Sequence, residues 1–344
     1  MSKVASIDRR KAEHIKINLE QNVRSRLSSG LERYHFIHEA LPEINLEEVD
    51  TTTTLFGKKL NAPVLISSMT GGTGEALIIN KHLASAAQVF GVAMGVGSQR
   101  AAIEDPSMAE SFSIVRKTAP NILLFANIGA IQLNYGFTID DCQRAIDMIG
   151  ADGLILHLNP LQEALQYGGN TDFAGLAGKI EWICEKLDVP VIVKEVGWGI
   201  SERTAKILAE CGVSAIDVAG AGGTSWSQVE MHRAPDDFTR QLAESFVDWG
   251  ITTADSIRNV KYATPGMTIF GSGGLRNGVD VTKAIALGAT LGGMAAQFLK
   301  TAVISAESTI DLLKLTQRQI MVTLFACGVK SLKDLNLTKL NSEK

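Results

Sequence analysis

Eight short, nearly unbroken apolar runs punctuate the chain, each closing on a glycine-rich or polar stretch before a helical pattern begins. They are APVLISSM (62–69), GVAMGVGS (91–98), ILLFANIG (122–129), GLILHLN (153–159), PVIVKEV (190–196), AIDVAGAG (215–222), TIFGSGG (268–274) and LGGMAAQF (291–298). Continuous apolar runs, as opposed to alternating ones, are what parallel strands covered on both faces require. Between them, TIDDCQRAIDMIG (138–150), SERTAKILAECG (201–212) and DVTKAIALGA (280–289) carry apolar residues at helical spacing, and several such segments end at glycine. Eight strand–helix units over about 240 residues predict an α/β fold, a (β/α)8 TIM barrel with an N-terminal extension. An open doubly wound sheet is the alternative, because periodicity does not show closure. Either fold binds ligands beyond the carboxyl ends of its strands. Those ends read SSMTGG, GSQR, NIG, HLN, KEVG, GAGGTSW and GSGG. Seven such endings on one rim predict a large site.

The pattern divides the chain into an arm over 1–60, a barrel over 61–335 and a tail over 336–344. Within the arm, RKAEHIKINLEQNV reads as an amphipathic helix, and LPEINLEEVDTTTTLFGKKL as a loop with extended pieces. Segment 305–327 is predicted to be the eighth outer helix.

Composition narrows the class without naming a function. Of 344 residues 45% are hydrophobic and 20% charged, ordinary globular usage that allows a sizeable core. A net charge of −4 gives no global reason to expect nucleic acid or a membrane surface. Cys142, Cys184, Cys211 and Cys327 form no CxxC or Cys/His cluster and read as buried reduced thiols. The opening MSKVASIDRRKAEHI has no apolar core of a signal peptide, and no apolar run approaches the ~20 residues of a membrane span. A soluble, cytoplasmic protein is expected.

Candidate chemistry concentrates in three stretches. In GSGGLRNGVDVTKAIALGA (271–289), Gly271, Gly273 and Gly274 allow a tight turn with N–H groups facing a ligand, and a helix N-terminus follows. After a seventh barrel strand this is the usual phosphate grip, shared with the loop after the eighth, here GGMAAQF. A glycine turn without a ligand is the bland reading. The pattern resembles FMN-binding barrels as a class, among them the α-hydroxy-acid oxidases and IMP-dehydrogenase-like enzymes. Lys194, ending PVIVKEV, suits a flavin, because a cation at the pyrimidine edge stabilises the charge of the reduced ring. An ion pair with Glu195 or another carboxylate is its competing role. Finally, HLNPLQE (157–163) sets four polar side chains after a buried run, as either a polar strand end or the wall of a site.

Taken together, RKAEHI, SSMTGG, GSQRA, FANIG, HLNPLQE, VPVIVKEVGWG, GAGGTSW and GSGGLRNGVDVTKAIALGA resemble the type 2, FMN-dependent isopentenyl-diphosphate isomerases over about residues 7–335. GSGG with KAIALGA is shared among flavin barrels, whereas RKxEHI with HLNxxQE is particular to this family. The resemblance implies interconversion of isopentenyl and dimethylallyl diphosphate with FMN and Mg2+. It also implies reduction of the flavin by NADPH or another donor without net redox, and a homo-oligomer, tetramer or octamer. Carried over by motif, flavin contacts fall on Ser68, Met69, Thr70, Ser98, Asn127, Lys194, Thr224, Gly273, Gly274, Ala296 and Gln297. Substrate contacts fall on Arg10, Lys11, His14, Arg100, His157, Asn159 and Gln162, and Glu163 is the implied metal ligand. HLNPLQE then becomes the diphosphate-and-metal wall, and the arm a lid, with His14 one turn after Arg10 on the same helix face. A solvated charged face is the competing reading of RRK. The mechanism implied has N5 of the reduced flavin give and take the proton while His157 and Gln162 position the substrate.

Three other readings stand beside this one. An α-hydroxy-acid oxidase needs a His and an Arg near the flavin, for which His232 and Arg233 are the nearest candidates after strand six. An IMP-dehydrogenase-like enzyme needs a cysteine after strand six, and none occurs between 212 and 326. A non-catalytic flavin- or phosphate-binding barrel would leave Arg100, His157, Gln162 and Glu163 without a task.

Overall fold

Strand pairing runs in chain order and returns to its start, so the sheet is closed. The computed structural model describes the backbone of residues 3–342 and the side chains of residues 11–342. The barrel strands are β1 (Val64–Ile66), β2 (Ala93–Gly95), β3 (Leu124–Gly129), β4 (Gly153–His157), β5 (Val191–Lys194), β6 (Ala215–Asp217), β7 (Thr268–Ser272) and β8 (Leu291–Met294). All pairs are parallel; β8 joins β1 through Gly293 opposite Leu65, and β6 joins β7 through Ile216 opposite Ile269. The (β/α)8 barrel therefore holds and the open sheet does not. Each strand is shorter than its apolar run: LGGMAAQF leaves the ladder at Met294, and Ala296 already begins the helix Ala296–Ala302.

Alternation explains why the runs are apolar throughout. Leu65, Ala93, Phe125, Ile155, Ile192, Ala215, Phe270 and Leu291 form one cluster inside the barrel. Their strand neighbours, such as Val64, Ile66, Met94, Leu124, Leu154, Leu156, Val193 and Met294, belong to the larger core under the helices. A strand buried on both faces has no polar position to spare. Outer helices follow the strands: Gly74–Phe90, Glu110–Thr118, Ile139–Ile149, Leu176–Lys186, Glu202–Glu210, Thr253–Ala263, Gly278–Leu287 and Ala306–Ala326. Ile139–Ile149 shows the local logic. Thr138 and Asp141 form a capping box, worth about 1 kcal/mol, and Gly150 ends the helix at φ 56 in the left-handed region.

The amino ends of the strands are plugged. A hairpin, Thr53–Leu55 with Lys58–Leu60, delivers Leu55, Leu60 and Phe56 to the inner cluster. Lys58 anchors it, with Nζ 3.0 Å from the Ile122 carbonyl and 2.7 Å from Asp152 Oδ1. Leu340–Ser342 pairs antiparallel with Tyr34–Phe36. The arm forms a helix, Lys3–Glu20, and no described helix is long and apolar enough to cross a membrane.

Candidate active site at the carboxyl ends of the strands

Side chains two apart on a strand share a face. Two residues beyond the inner apolar layer stand Ser67, Gly95, Asn127, His157, Lys194, Asp217, Ser272 and Gly293. His157, Lys194 and Asp217 are register partners on three adjacent strands. Ser67, Asn127, His157, Lys194, Ser272 and Gly293 of this layer line a cavity of 730 Å3. The layer is flattened at two points, for a Cβ on Gly95 would lie 2.6 Å from Ser68 Oγ, and one on Gly293 2.6 Å from Ser67 Oγ and Ser272 Cβ. Ser67 and Ser68 keep buried hydroxyls with no hydrogen-bond partner among the described residues. At one side Gly273 (φ 108) and Gly274 (φ 79) pack against the Gly220–Gly223 loop so tightly that a Cβ on Gly273 would sit 2.1 Å from the Gly220 carbonyl.

His157 Nδ1 lies 2.8 Å from Asn127 Oδ1, and the Asn127 N–H donates to Gln99 Oε1 at 3.0 Å. Burial first, then the charges of Lys194 and Lys11, push the His157 pKa down to about 4. The ring is therefore neutral near pH 7. Its Nδ1–H is committed to Asn127, which leaves Nε2 as an acceptor.

Lys194 and Glu195 meet through the backbone. Lys194 Nζ donates to the Glu195 carbonyl at 2.7 Å, while Glu195 Oε2 accepts from the N–H groups of Val196, Gly197 and Trp198 at 2.7, 2.7 and 2.6 Å. Glu195 thus folds the KEVGWG turn and makes no ion pair with Lys194; the other carboxylate weighed for that role is met by Asp217, the register partner of Lys194 on β6. Burial pushes its carboxyl up to about 7, against the three amides and Lys194. Asp217 is fully buried, and its Oδ1 accepts from Ser272 Oγ at 2.5 Å and the Ala219 N–H at 3.3 Å. Burial raises its pKa, while Lys194 and Ser272 act to lower it.

The facing wall begins where β4 ends. Pro160 starts the helix Pro160–Leu165, a position where its missing N–H costs nothing. Asn159 Nδ2 donates to Gln162 Oε1 (3.1 Å) and Glu163 Oε1 (3.0 Å), and Gln162 Nε2 donates to Glu230 Oε1 (3.1 Å). Glu163 Oε2 accepts from the Asn170 N–H at 2.7 Å. Glu230 comes from the helix Trp226–Arg233 and also meets Arg233 Nη1 at 2.6 Å and His14 Nε2 at 3.4 Å. Burial opposes its charge, but His14, Arg233 and Gln162 together hold its pKa below the ordinary value.

The arm helix adds Lys11, His14, Ile15 and Asn18 to the lining of the cavity. Lys11 Nζ donates to the Ser98 carbonyl at 2.8 Å and lies 5.1 Å from the Phe112 ring centre. His14 stands edge-on to Trp226 at 5.0 Å, and Glu13 pairs with Arg233 at 3.2 Å. Arg100 pairs with Glu104 at 2.9 Å.

Lys11, His14, Ser68, Met69, Thr70, Ser98, Arg100, Asn127, His157, Asn159, Gln162, Glu163, Lys194, Thr224, Gly273, Gly274, Ala296 and Gln297 all line this one cavity. The Arg10 side chain lies outside the described residues. Ser67, Gln132, Gln166 and Trp226 line the cavity too and went unread in the sequence; so did Glu230 and Asp217. Counting inward positions from Ala215 would have found Asp217. No sequence signal marks Glu230, which sits in an insertion between β6 and its outer helix. Arg233, weighed as an oxidase arginine, is spent on Glu230 and Glu13. The four cysteines are free thiols, three buried and Cys184 half-buried.

Residues 163–342 match the family of FMN-dependent dehydrogenases. A protein of Nostoc sp. named isopentenyl-diphosphate delta-isomerase is 53% identical over 332 residues, 96% of this chain and 95% of the relative. One of the same name from Rickettsia prowazekii is 50% identical over 336 residues, 97% and 98% of the two chains. Among solved structures, (S)-mandelate dehydrogenase superposes with a TM-score of 0.71 at 15% identity over 99% of both chains. A flavocytochrome b2 variant gives 0.68 at 18% identity, over 96% of this chain and 82% of that one. At such identities these two share the fold.

Proposed function

The chain belongs to the isopentenyl-diphosphate delta-isomerases, in their FMN-dependent, type 2 form, and we propose that its cavity interconverts isopentenyl and dimethylallyl diphosphate over a reduced flavin, a step of isoprenoid biosynthesis. One observation carries the reading: the flavin-type side of the mouth, with Lys194 and the GSGG loop, and the HLNPLQE wall with Lys11, His14 and Arg100 line a single cavity.

The residues present fit FMN. The buried Ser67 and Ser68 hydroxyls line the cavity with no hydrogen-bond partner among the described residues, which leaves them available to a polar ligand. Ser68, Met69, Thr70, Ser98, Asn127, Thr224, Ala296 and Gln297 would hold it, with Gly273 and Gly274 at its phosphate and Lys194 at the pyrimidine edge. When bound and reduced, by NADPH or another donor, FMN supplies acid–base chemistry at N5. Around it the chain places, shields and polarises. His157 is neutral and tethered to Asn127, so it orients the reactants and has no imidazolium proton to give near pH 7. Gln162 has Oε1 held by Asn159 and Nε2 held by Glu230, which suits a positioning role. Trp226, Met69 and the arm helix line the cavity and would keep water from a bound substrate, which strengthens charge interactions inside.

For Mg2+ the donor set fits a single-ligand role. No cluster of three metal-ligating side chains occurs among the described residues. Glu163 faces the cavity with carboxylate lone pairs remaining, and Mg2+ commonly completes its octahedron with phosphate oxygens and waters. Lys11, His14 and Arg100, with Arg10, would meet the diphosphate. The reading includes a cytoplasmic homo-oligomer, tetramer or octamer.

The test is anaerobic turnover of isopentenyl diphosphate with FMN, NADPH and Mg2+, leaving out one component at a time. Activity should vanish without FMN or without a reductant, and fall steeply without Mg2+. Full activity from a flavin-free, folded preparation would refute the reading.

A further inference from the structure

Asp217 ends β6 in the strand register opposite Lys194, which lines the cavity, and has no role in the functional reading of the site. No part of it reaches solvent. Both hydrogen bonds it receives, from Ser272 Oγ and the Ala219 N–H, go to Oδ1. Oδ2 is buried with no hydrogen-bond partner among the described residues. Ala219 holds a left-handed φ of 35, a conformation that costs an alanine about 1–2 kcal/mol per residue and that is kept beside the carboxyl it contacts. A buried carboxylate needs a compensating positive charge, or it takes a proton on whichever oxygen is left over.

Among the described residues, the groups facing Asp217 supply one positive charge. On β5 stands Lys194, its ammonium donating to the Glu195 carbonyl, while the Glu195 carboxylate is turned to three backbone amides. On β7, Ser272 is uncharged. Beyond Lys194 in the row, His157 on β4 is held neutral. A reduced flavin brings a negative charge to this same lysine, so ring and carboxylate compete for a single cation.

We propose that Asp217 is the charge-balancing residue of the flavin floor: ionised against Lys194 while the ring is oxidised, and protonated on Oδ2 when the ring is reduced. This rests on the flavin reading of the site. The step balances. A hydride donor of the nicotinamide class gives two electrons and one proton to the ring, the ring gains one negative charge, and Asp217 takes one further proton from solvent. The floor then stays neutral in both states, and Lys194 is free to face the reduced ring.

Asp217→Asn keeps the shape and removes the titration. In the FMN-loaded protein, the flavin reduction potential should lose one proton from its pH dependence. That is a tenfold smaller change in the oxidised-to-reduced ratio per pH unit, about 30 mV for two electrons. An unchanged pH dependence with FMN still bound would overturn the proposal. A second measurement needs no variant. In wild-type protein labelled with 13C-carboxyl aspartate, the reduced-minus-oxidised infrared difference should show a carboxylate band lost and a protonated carboxyl band gained. No aspartate signal on reduction would also overturn it, whether or not Asp217→Asn folds. Failure of the protein to bind FMN at all would instead refute the functional reading, and this proposal with it.

Discussion

His157 shows how one side chain's surroundings decide its role. Its neighbours are a cation on the next strand, an amide oxygen and little water, and all three disfavour the imidazolium or fix the neutral tautomer. Because the folded pKa lies below the unfolded one, the unfolded chain binds more protons between about pH 4 and the ordinary 6.5. Stability from this group is therefore present above that window and is lost as pH falls through it. In histidine NMR of the holo- or apo-protein, the His157 resonance should stay neutral at pH 6 and titrate at about 4; titration near 6.5 would remove the argument that it has no proton to give. At this scale the sequence was partly legible. HLNPLQE and Lys194 announced themselves as polar residues after apolar runs, but Asp217 sits inside AIDVAGAG and is betrayed only by inward register. Lys194 beside Glu195 looked like an ion pair. Local backbone geometry sends the carboxylate to three amides, which adjacency in sequence does not reveal.

The arm helix and the helix Trp226–Arg233 act as a pair. Glu230 gathers Gln162 from the wall, Arg233 from its own helix and His14 from the arm, and Arg233 reaches on to Glu13. The HLNPLQE segment and the arm are thus joined through one buried carboxylate, which is costly to leave unpaired. Arg233→Ala should loosen the arm: limited proteolysis within residues 1–20 should quicken roughly tenfold, the equivalent of about 1.4 kcal/mol of lost docking, and the Michaelis constant for the diphosphate should rise. Unchanged cleavage would show that the arm is held elsewhere. The arm's helicity was legible in RKAEHIKINLEQNV from spacing. Its docking partner was not, because Glu230 enters from an insertion whose approach is a tertiary event.

Across the whole molecule, eight apolar runs fixed the number and order of the strands, and buried parallel strands left a strong signature. Closure left none, since a strand in an open sheet reads the same. What closes the barrel is visible only in space: the inner layer fills the lumen, with Phe125 and Phe270 5.9 Å apart and Phe56 edge-on to Phe125 at 6.3 Å from the hairpin below. Phe125→Ala should therefore cost about 3–5 kcal/mol in urea unfolding and weaken FMN binding above it; a loss under about 1 kcal/mol would mean that the lumen repacks. The same closure brings strand ends from eight parts of the chain to one mouth, which is why residues from Lys11 to Lys300 line a single cavity.

The most direct test of that mouth follows hydrogen rather than product. Isopentenyl diphosphate incubated anaerobically in D2O with the protein should acquire deuterium when the bound flavin is reduced, and none when it is oxidised or absent. Equal incorporation by folded, flavin-free protein would place the acid and base among the side chains and contradict the account.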